Sequence, residues 1–251
     1  MQDEQTTQSS LTGRVALVTG GSSGIGRAIV LALSEAGASV AIGYGASDAA
    51  AQQLAGQITA AGGRAAALSA DLAYAAEVAR LTEDTEQAFG PVDILVSNAG
   101  IGEQRQLEAI EVEEFDETIA VNLRAPFLLA QRLVPRMAQR GFGRVLFISS
   151  VAAFTGGVIG PHYASSKAGL HGLTHFLAAR YAGSGITVNA LAPALITQTG
   201  MLPDEPENLR QRVPVGRLGL PAEVADLALA VLRNPYVTNQ VISIDGGMYP
   251  H

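Results

Sequence analysis

The sequence predicts an α/β protein built on a doubly wound, parallel sheet of seven strands in a single domain. Short β-branched runs alternate with long alanine-rich segments whose apolar residues recur at helical spacing. This alternation predicts parallel strands joined by right-handed crossovers, with helices on both faces of the sheet. The 251 residues contain no cysteine, so no disulfide or thiolate metal site contributes. A chain of this length buries about 70–75% of its unfolded surface without such links.

The elements follow one another in a regular order. The predicted strands are residues 15–18, 40–42, 65–68, 94–96, 145–148, 187–191 and 241–244. The predicted helices are residues 25–36, 49–61, 75–89, 112–139, 163–181 and 221–232, of which 112–139 forms one or two helices with Pro126 at a bend. Gly37, Gly62 and Gly90 each follow a periodic run directly, where a helix end favours a residue without Cβ. Pro221 stands in a first helical turn, where its missing N–H is not needed.

The chain is expected to form one folded unit with two irregular segments. Residues 1–10 are polar and acidic and lack an apolar core, which predicts a flexible tail and not a signal peptide. Residues 11–251 form the predicted catalytic domain. Within it, residues 194–219 carry three prolines and no clear periodicity. A loop this long inside a compact domain is more often functional than idle, so we expect a lid over the substrate.

Charge and composition exclude several classes of partner. The net charge is −7, from 16 basic and 23 acidic residues, and the basic residues are scattered. This pattern gives no electrostatic footprint for nucleic acid or for an anionic membrane. No segment reaches the ~18 uncharged apolar residues of a transmembrane helix. The absence of cysteine is compatible with a reducing compartment, so we expect a cytoplasmic protein with neither nucleic-acid nor membrane partner.

A glycine-rich turn joins the first strand to the first helix. It reads Thr-Gly-Gly-Ser-Ser-Gly-Ile-Gly over residues 19–26. Glycines let the backbone approach a pyrophosphate closely, and a helix N-terminus adds free N–H groups and a partial positive charge. A purely structural turn is the alternative. The position between a strand and a helix favours dinucleotide binding and a Rossmann-like domain.

Tyr163 and Lys167 form a candidate acid/base pair. They stand four residues apart in a predicted helix and therefore share one face. Hydride transfer to a carbonyl needs a proton donor for the developing alkoxide. A nearby lysine favours the phenolate and should lower the tyrosine pKa from its usual value of ~10. Spacing alone leaves an ordinary exposed pair as the alternative.

Two other arrangements of polar residues suggest a hydrolase and a metal site, but the sequence supports neither. Ser150 with His162 suggests a hydrolase, but no Gly-x-Ser-x-Gly elbow surrounds the serine. His171 and His175 have the four-residue spacing of metal ligands, but no third ligand is evident and no glutamate follows His171. We therefore interpret the two histidines as packed or solvated residues and predict no metal site.

Further motifs occur in order along the chain. They are Asn98-Ala99-Gly100 after the fourth strand, Ser150 after the fifth, and the closing Ile-Asp-Gly-Gly of residues 244–247. With the glycine turn and the Tyr–Lys pair, the set resembles the short-chain dehydrogenase/reductase family over residues 11–249, and looks closest to its 3-oxoacyl-carrier-protein reductase group. The resemblance implies carbonyl reduction with Tyr163 as general acid and Lys167 on the nicotinamide ribose. It implies Ser150 on the substrate oxygen, with the adjacent Ser149 as the alternative that the family spacing disfavours, and Asn122 in a proton relay through a water and Lys167.

The resemblance also assigns the contacts of the dinucleotide. They are Gly20, Ser22, Ser23, Gly24, Ile25 and Gly26 in the glycine turn, Tyr44 and Ser47 after the second strand, Asp71 and Leu72 at the adenine, Asn98, Ala99 and Gly100 beside the adenosine, Tyr163 and Lys167 at the ribose, and Pro193, Ile196 and Thr197 at the carboxamide. The last segment departs from the family pattern, because Ala194 replaces the usual glycine and the stretch is longer. Thr199 is therefore an alternative to Thr197.

The second strand bears on the choice of nicotinamide. Tyr44 stands where an NAD-binding aspartate is expected. No arginine for a 2′-phosphate occurs over residues 38–53, and Ser23 occupies a position that is basic in many NADP-binding members. With no carboxylate in view to repel a phosphate, and with Ser22, Tyr44 and Ser47 as hydrogen-bond partners, we favour NADP(H). NAD(H) is the alternative.

The substrate is expected over the nicotinamide, beyond the carboxyl ends of the strands. The predicted walls are Ala152, Phe154, Gly156, Val158, His162 and the lid at 195–213, although Phe154 fits core packing equally well. These mostly apolar residues favour reduction of a hydrophobic ketone or a 3-oxoacyl group to a secondary alcohol. An NAD-dependent alcohol or steroid-type dehydrogenase and a non-catalytic nucleotide-binding regulator are the alternatives. By resemblance, helices at 122–140 and 163–184 pair between subunits of a homotetramer.

Overall fold

The computed structural model describes residues 10–200 and 207–249. Its centre is a parallel seven-stranded sheet in the order β3-β2-β1-β4-β5-β6-β7. The strands are β1 Val15–Thr19, β2 Ser39–Tyr44, β3 Arg64–Ser69, β4 Ile94–Ser97, β5 Gly143–Ile148, β6 Ile186–Pro193 and β7 Val241–Ile244. The predicted fold class and all seven predicted strands are confirmed. The order reverses between β1 and β4, and such a switch point opens a crevice at the carboxyl ends of the strands.

Helices cover both faces of the sheet. They are α1 Gly24–Glu35, α2 Asp48–Ala60, α3 Ala75–Phe89, α4 Val112–Ile119, α5 Ala125–Arg140, α6 Ala152–Thr155, α7 Pro161–Tyr181, α8 Glu207–Arg210 and α9 Pro221–Arg233. Buried apolar residues of α1, α2 and α9 pack on one face, and those of α3, α5 and α7 pack on the other. The predicted doubly wound arrangement follows from these two cores.

Burial on both faces explains the continuous apolar runs of the strands. In β1, Ala16 and Val18 belong to one core, whereas Val15 and Leu17 belong to the other. All four are buried. Strands of a parallel sheet that is covered on both sides lose the alternation of polar and apolar residues, so length and flanking glycines had to identify them in the sequence.

The predicted bend at Pro126 coincides with a break between α4 and α5. A π-helical turn over Ala120–Arg124 joins the two helices, and Pro126 stands in the first turn of α5. A proline inside a helix lacks the N–H donor, and its ring clashes with the carbonyl four residues earlier, which here belongs to Asn122. A wider turn relieves this clash. It also leaves the Asn122 side chain completely buried beside α7.

The predicted tail and lid are described only in part. Residues 1–9 and 201–206 lie outside the described residues, as do 250–251. The two ends of the predicted lid meet, because Ile196 forms an isolated bridge with Gly219 and the Thr197 N–H donates to the Gly219 carbonyl at 3.0 Å. α8 lies between them. Among the described residues, no helix has both the length and the apolar character to cross a membrane.

Candidate active site

The glycine turn presents backbone donors at the start of α1. The first bond within this helix runs from the Arg27 N–H to the Ser23 carbonyl at 3.0 Å, so the N–H groups of residues 24–26 have no acceptor in the helix. Gly20 and Gly24 have φ values of +62° and +51°, which favour glycine. The turn therefore offers free N–H groups and a helix N-terminus to an anion.

Close packing against the loop after β4 fixes this turn. The Asn98 side-chain amide donates to the carbonyls of Thr19 and Gly20 at 3.0 Å each, and the backbone N–H groups of Asn98 and Ala99 donate to Thr19 Oγ1 at 3.1 Å. A Cβ on Gly20 would lie 2.9 Å from Ala99 Cα, and one on Gly26 would lie 2.1 Å from the Gly20 carbonyl oxygen. The cradle has no room for side chains, as close approach of a pyrophosphate requires.

Tyr163, Lys167 and Ser150 converge at the carboxyl end of β5. Tyr163 and Lys167 share one face of α7 and are 6% and 3% exposed. Lys167, the only lysine in the sequence, donates from Nζ to the Ile148 carbonyl at 2.8 Å and lies 5.7 Å from the centroid of the Tyr163 ring. Ser150 hydrogen-bonds with Tyr163. The structure therefore brings the side chains of Tyr163, Lys167 and Ser150 together.

The pKa of Tyr163 differs from the expected lowering. Burial raises the pKa of this phenol, and the hydrogen bond from Ser150 offsets the rise only in part. Burial also lowers the pKa of Lys167 to about 8. A charged ammonium beside the ring favours the phenolate, but a dry site disfavours both charges, and here desolvation is the larger effect.

Asn122 joins the site from the π-helical turn. Its Oδ1 accepts from the Ile101 N–H at 2.8 Å, and its Nδ2 donates to the Ile101 carbonyl at 2.7 Å and to Ser166 Oγ at 3.0 Å. Gly100 lies between Asn122 and Lys167, since a Cβ there would stand 3.3 Å from Asn122 Oδ1 and 3.1 Å from Lys167 Nζ. Asn122 thus ties the loop after β4 to α7, directly beside the lysine.

Comparison with known proteins identifies the family of the chain. A family model described as short chain dehydrogenase matches residues 14–210. A 3-oxoacyl-[acyl-carrier-protein] reductase of Synechocystis sp. is 38% identical over 95% of this chain and 98% of that protein. A blue fluorescent protein from a metagenomic library, solved in complex with NADPH, is 36% identical with a TM-score of 0.90 over 96% of this chain and 100% of the other.

The chain belongs to the short-chain dehydrogenase family. This confirms the predicted family and enzyme class. The 3-ketoacyl-(acyl-carrier-protein) reductase of Brucella melitensis, solved with NADH, matches it at 32% identity and a TM-score of 0.89, over 95% of this chain and 99% of the other.

The predicted dinucleotide contacts of this short-chain dehydrogenase lie along one edge of the sheet. All except Tyr163 and Lys167, which lie in α7, stand at or just beyond the carboxyl ends of β1, β2, β3, β4 and β6, which are parallel and therefore meet at that edge. Ser22 is buried, whereas Ser23 and Ser47 are exposed before α1 and α2. Asp71 is also exposed, and its carboxylate accepts from the Ala73 N–H at 2.9 Å.

Two details of that edge bear on the sequence interpretation. We expected no carboxylate that could repel a 2′-phosphate, but the Tyr44 hydroxyl donates to Asp48 Oδ1 at 2.5 Å. This bond also raises the pKa of Tyr44. In the predicted lid, the Thr197 hydroxyl donates to the Gly219 carbonyl, whereas Thr199 lies over the glycine turn, its Cα 3.3 Å from the position of a Cβ on Gly24.

Two of the predicted substrate walls turn inward. His162 is 0% exposed, and neither ring nitrogen has a hydrogen-bond partner within the described part of the chain. Its Nε2 lies 3.8 Å from Glu114 Oε1. The Phe154 ring packs between the rings of His171 and Tyr249, with centroid distances of 4.8 and 5.4 Å. Val158 is 57% exposed and is available to a ligand. Both inward placements depend on contacts between distant segments, which local sequence patterns do not reveal.

Sequence reasoning also missed residues that hold the site together. They include Thr19, which anchors Asn98, and Ser166, which bonds to Asn122 and to the Tyr163 carbonyl. Ser149, the alternative to Ser150 in the sequence, contacts His171. Their positions next to motif residues were the only available signal. The two histidines that suggested metal-ligand spacing have separate partners, since His175 Nδ1 contacts Asn239 Oδ1 at 2.7 Å.

Proposed function

We propose that this short-chain dehydrogenase reduces a hydrophobic ketone or a 3-oxoacyl group to a secondary alcohol. NADP(H) is the preferred cofactor, and NADH is also accepted. The observation that carries the proposal is the convergence of Tyr163, Ser150 and Lys167 at the same sheet edge as the glycine turn. The lid over residues 194–219 covers the substrate in this proposal.

The residues present fit a nicotinamide dinucleotide. The glycine turn provides the pyrophosphate cradle that a single Cβ would fill. When bound, the cofactor supplies the hydride. NADPH in one similar structure and NADH in another support the assignment of a nicotinamide. Asp48 adds a carboxylate beside Tyr44 and works against a 2′-phosphate, which is why NADH is included.

The proton follows a short path in the proposed reaction. Tyr163 donates its hydroxyl proton to the substrate oxygen, while the Ser150 hydroxyl orients that oxygen by a hydrogen bond. Lys167 lies close enough to favour the phenolate that remains. Asn122, bound to the same helix through Ser166, completes the relay that returns a proton to Tyr163.

The substrate class rests on the surface around Tyr163. Gly102 lies close to the Tyr163 ring and to the Ile159 side chain, and Ile101 and Val158 are exposed apolar residues. The 3-oxoacyl-carrier-protein reductases among the relatives support an acyl substrate. The homotetramer and the cytoplasmic location stay proposals, which rest on family resemblance and on the cysteine-free composition.

The test is a carbonyl screen at 340 nm with NADPH and NADH, followed by Tyr163→Phe. We expect carbonyl-dependent oxidation of NADPH, and a loss of at least about 100-fold in kcat for Tyr163→Phe, because general acid catalysis contributes about 10²–10⁴. Tyr74→Phe, at a residue that is 64% exposed, is the control and should keep wild-type activity.

Full activity in Tyr163→Phe refutes the proposed acid. No turnover across the panel favours the nucleotide-binding regulator, and a higher kcat/KM with NADH refutes the cofactor preference.

A further inference from the structure

His171 lies two helical turns beyond Tyr163, on the face of α7 that carries the candidate catalytic residues. Positions 163, 167 and 171 are spaced by four residues each, so their side chains follow one another along the helix. His171 is partly buried, and both its desolvation and the nearby His175 lower its pKa. The proposed reaction has no use for this residue. Its contacts nevertheless reach the loop that carries Ser150.

The first contact is a hydrogen bond to the residue before Ser150. His171 Nε2 lies 2.8 Å from Ser149 Oγ, and Ser149 Oγ lies 3.1 Å from the Lys167 carbonyl oxygen. Ser149 has one hydroxyl proton, and a carbonyl can only accept. Both bonds therefore form together when Nε2–H of His171 donates to Ser149, and Ser149 donates to Lys167. Hydrogen bonds of the Ser149 and His171 side chains therefore join the end of β5 to α7.

The second contact is with the residue that follows Ser150 by four positions. The His171 ring packs against the Phe154 ring at 4.8 Å, tilted by 42°. Phe154 belongs to α6, the short helix that continues from Ser150. Within this segment the Ala152 N–H donates to Ser150 Oγ at 3.1 Å. His171 thus holds the Ser150 turn on both sides, at Ser149 and at Phe154.

We propose that His171 is a positioning residue, which fixes the Ser150 hydroxyl relative to Tyr163 and Lys167. The inference rests on the proposed function. Ser150 is half-buried and lies just beyond β5. The sheet holds the backbone on either side of it, since the N–H groups of Ser149 and Val151 donate to the carbonyls of Leu191 and Pro193, but these backbone bonds do not set the direction of the Ser150 side chain. Ser149 and Phe154 have the same partner, His171, which lies on α7, the helix that also carries Tyr163. Hence a shift of the turn relative to Tyr163 must break one of these contacts.

Two variants separate the hydrogen bond from the ring contact. His171→Phe keeps a ring against Phe154 and removes the donor to Ser149. His171→Gln removes the ring and keeps an N–H donor at about the reach of Nε2. His175→Phe, at an exposed position one turn further on, is the matched control. We expect His171→Phe to lower kcat about tenfold, since small misplacements of reacting groups cost up to about 10²-fold. The KM for NADPH should stay within twofold, and His171→Gln should recover most of kcat.

A titration of the Tyr163 phenol tests the same inference without measuring catalysis. The absorbance of phenolate near 295 nm, taken as the difference from the same protein with Tyr163→Phe, reports Tyr163 alone. The hydrogen bond from Ser150 lowers the pKa of Tyr163, and Lys167, whose amine lies beside the ring and is already deprotonated where Tyr163 titrates, is kept in all variants. His171→Phe should therefore raise the Tyr163 pKa, whereas His175→Phe should not.

The outcomes for the two proposals are distinct. Wild-type kcat and an unchanged Tyr163 titration in His171→Phe overturn the positioning role. A joint loss of kcat and NADPH affinity that His171→Gln fails to recover also overturns it, because that pattern reports general disruption of the fold. A wild-type protein without any carbonyl turnover refutes the proposed function instead, and the titration still decides the role of His171.

Discussion

Replacement of Lys167 by Met should stabilise the protein at neutral pH while it removes activity. Lys167 is 3% exposed, and burial lowers its pKa from 10.5 to about 8. This difference corresponds to about 3 kcal/mol for holding the ammonium charged in the fold at pH 7. Met fills a similar volume without charge but loses the bond to the Ile148 carbonyl, which costs about 1 kcal/mol. The expected net gain is about 2 kcal/mol in the free energy of unfolding.

The sign of the pH dependence follows from the lowered pKa. Between about pH 8 and 10.5 the unfolded chain retains the Lys167 proton, whereas the folded chain has released it. The unfolded state then binds more protons, so the stability of the wild type rises with pH in this window. The advantage of Lys167→Met should therefore fall from about 2 kcal/mol at pH 7 and reverse near pH 10.5, where only the lost hydrogen bond remains and the variant is about 1 kcal/mol less stable than the wild type.

The assay combines urea unfolding with direct titration. Wild type and Lys167→Met are unfolded at pH 7 and pH 10 at one protein concentration. Because Lys167 is the only lysine in the sequence, protein labelled with ¹³C at the lysine Cε gives a single resonance whose midpoint is the pKa. A midpoint at 10 or above refutes the reasoning, as does a Lys167→Met protein that is less stable than wild type at pH 7.

Two further predictions concern the scaffold of the site. Asn122→Leu leaves both polar groups of the Ile101 backbone without their side-chain partner and should cost about 3 kcal/mol in urea unfolding; a loss below about 1 kcal/mol contradicts this. Gly26→Ala places a Cβ 2.1 Å from the Gly20 carbonyl oxygen and 2.5 Å from Asn98 Nδ2, so NADPH affinity by fluorescence titration should fall at least about tenfold. Gly56→Ala, in α2 with open space around it, is the control and should gain about 0.5–1 kcal/mol with unchanged affinity. Wild-type NADPH affinity in Gly26→Ala would show that the turn tolerates a side chain.

The elements that the sequence predicted well are those with local signals. β1 and the glycine turn follow one another within twelve residues, and the four-residue spacing of Tyr163 and Lys167 is a property of any helix. The bend at Pro126 likewise has a local cause, since proline disturbs the carbonyl four residues earlier. Such features need no knowledge of the strand order.

The contacts that escaped prediction join distant parts of the chain. Asn98 and Thr19 are 79 residues apart, and they meet because β1 and β4 are neighbours in the sheet. Ser149 and His171 meet because α7 packs beside the end of β5. The bond between Tyr44 and Asp48 spans only four residues, but it crosses the end of a strand, where helical spacing does not apply. Spatial neighbours of this kind require the topology first.

A single buried lysine makes the protein selective towards chemical reagents. The other 15 basic residues of the sequence are arginines, so the one side chain that a lysine-directed acylating reagent can modify is 3% exposed, and the label on it is told apart from label on the N-terminal amine by peptide mapping. Its reaction rate then reports how often reagent and solvent reach the candidate active site. Because burial lowers the pKa of this amine, opening that hydrates it also raises its pKa, and the rate is compared between variants at one fixed pH. Lys167 is thus a built-in reporter of the opening motions of this enzyme.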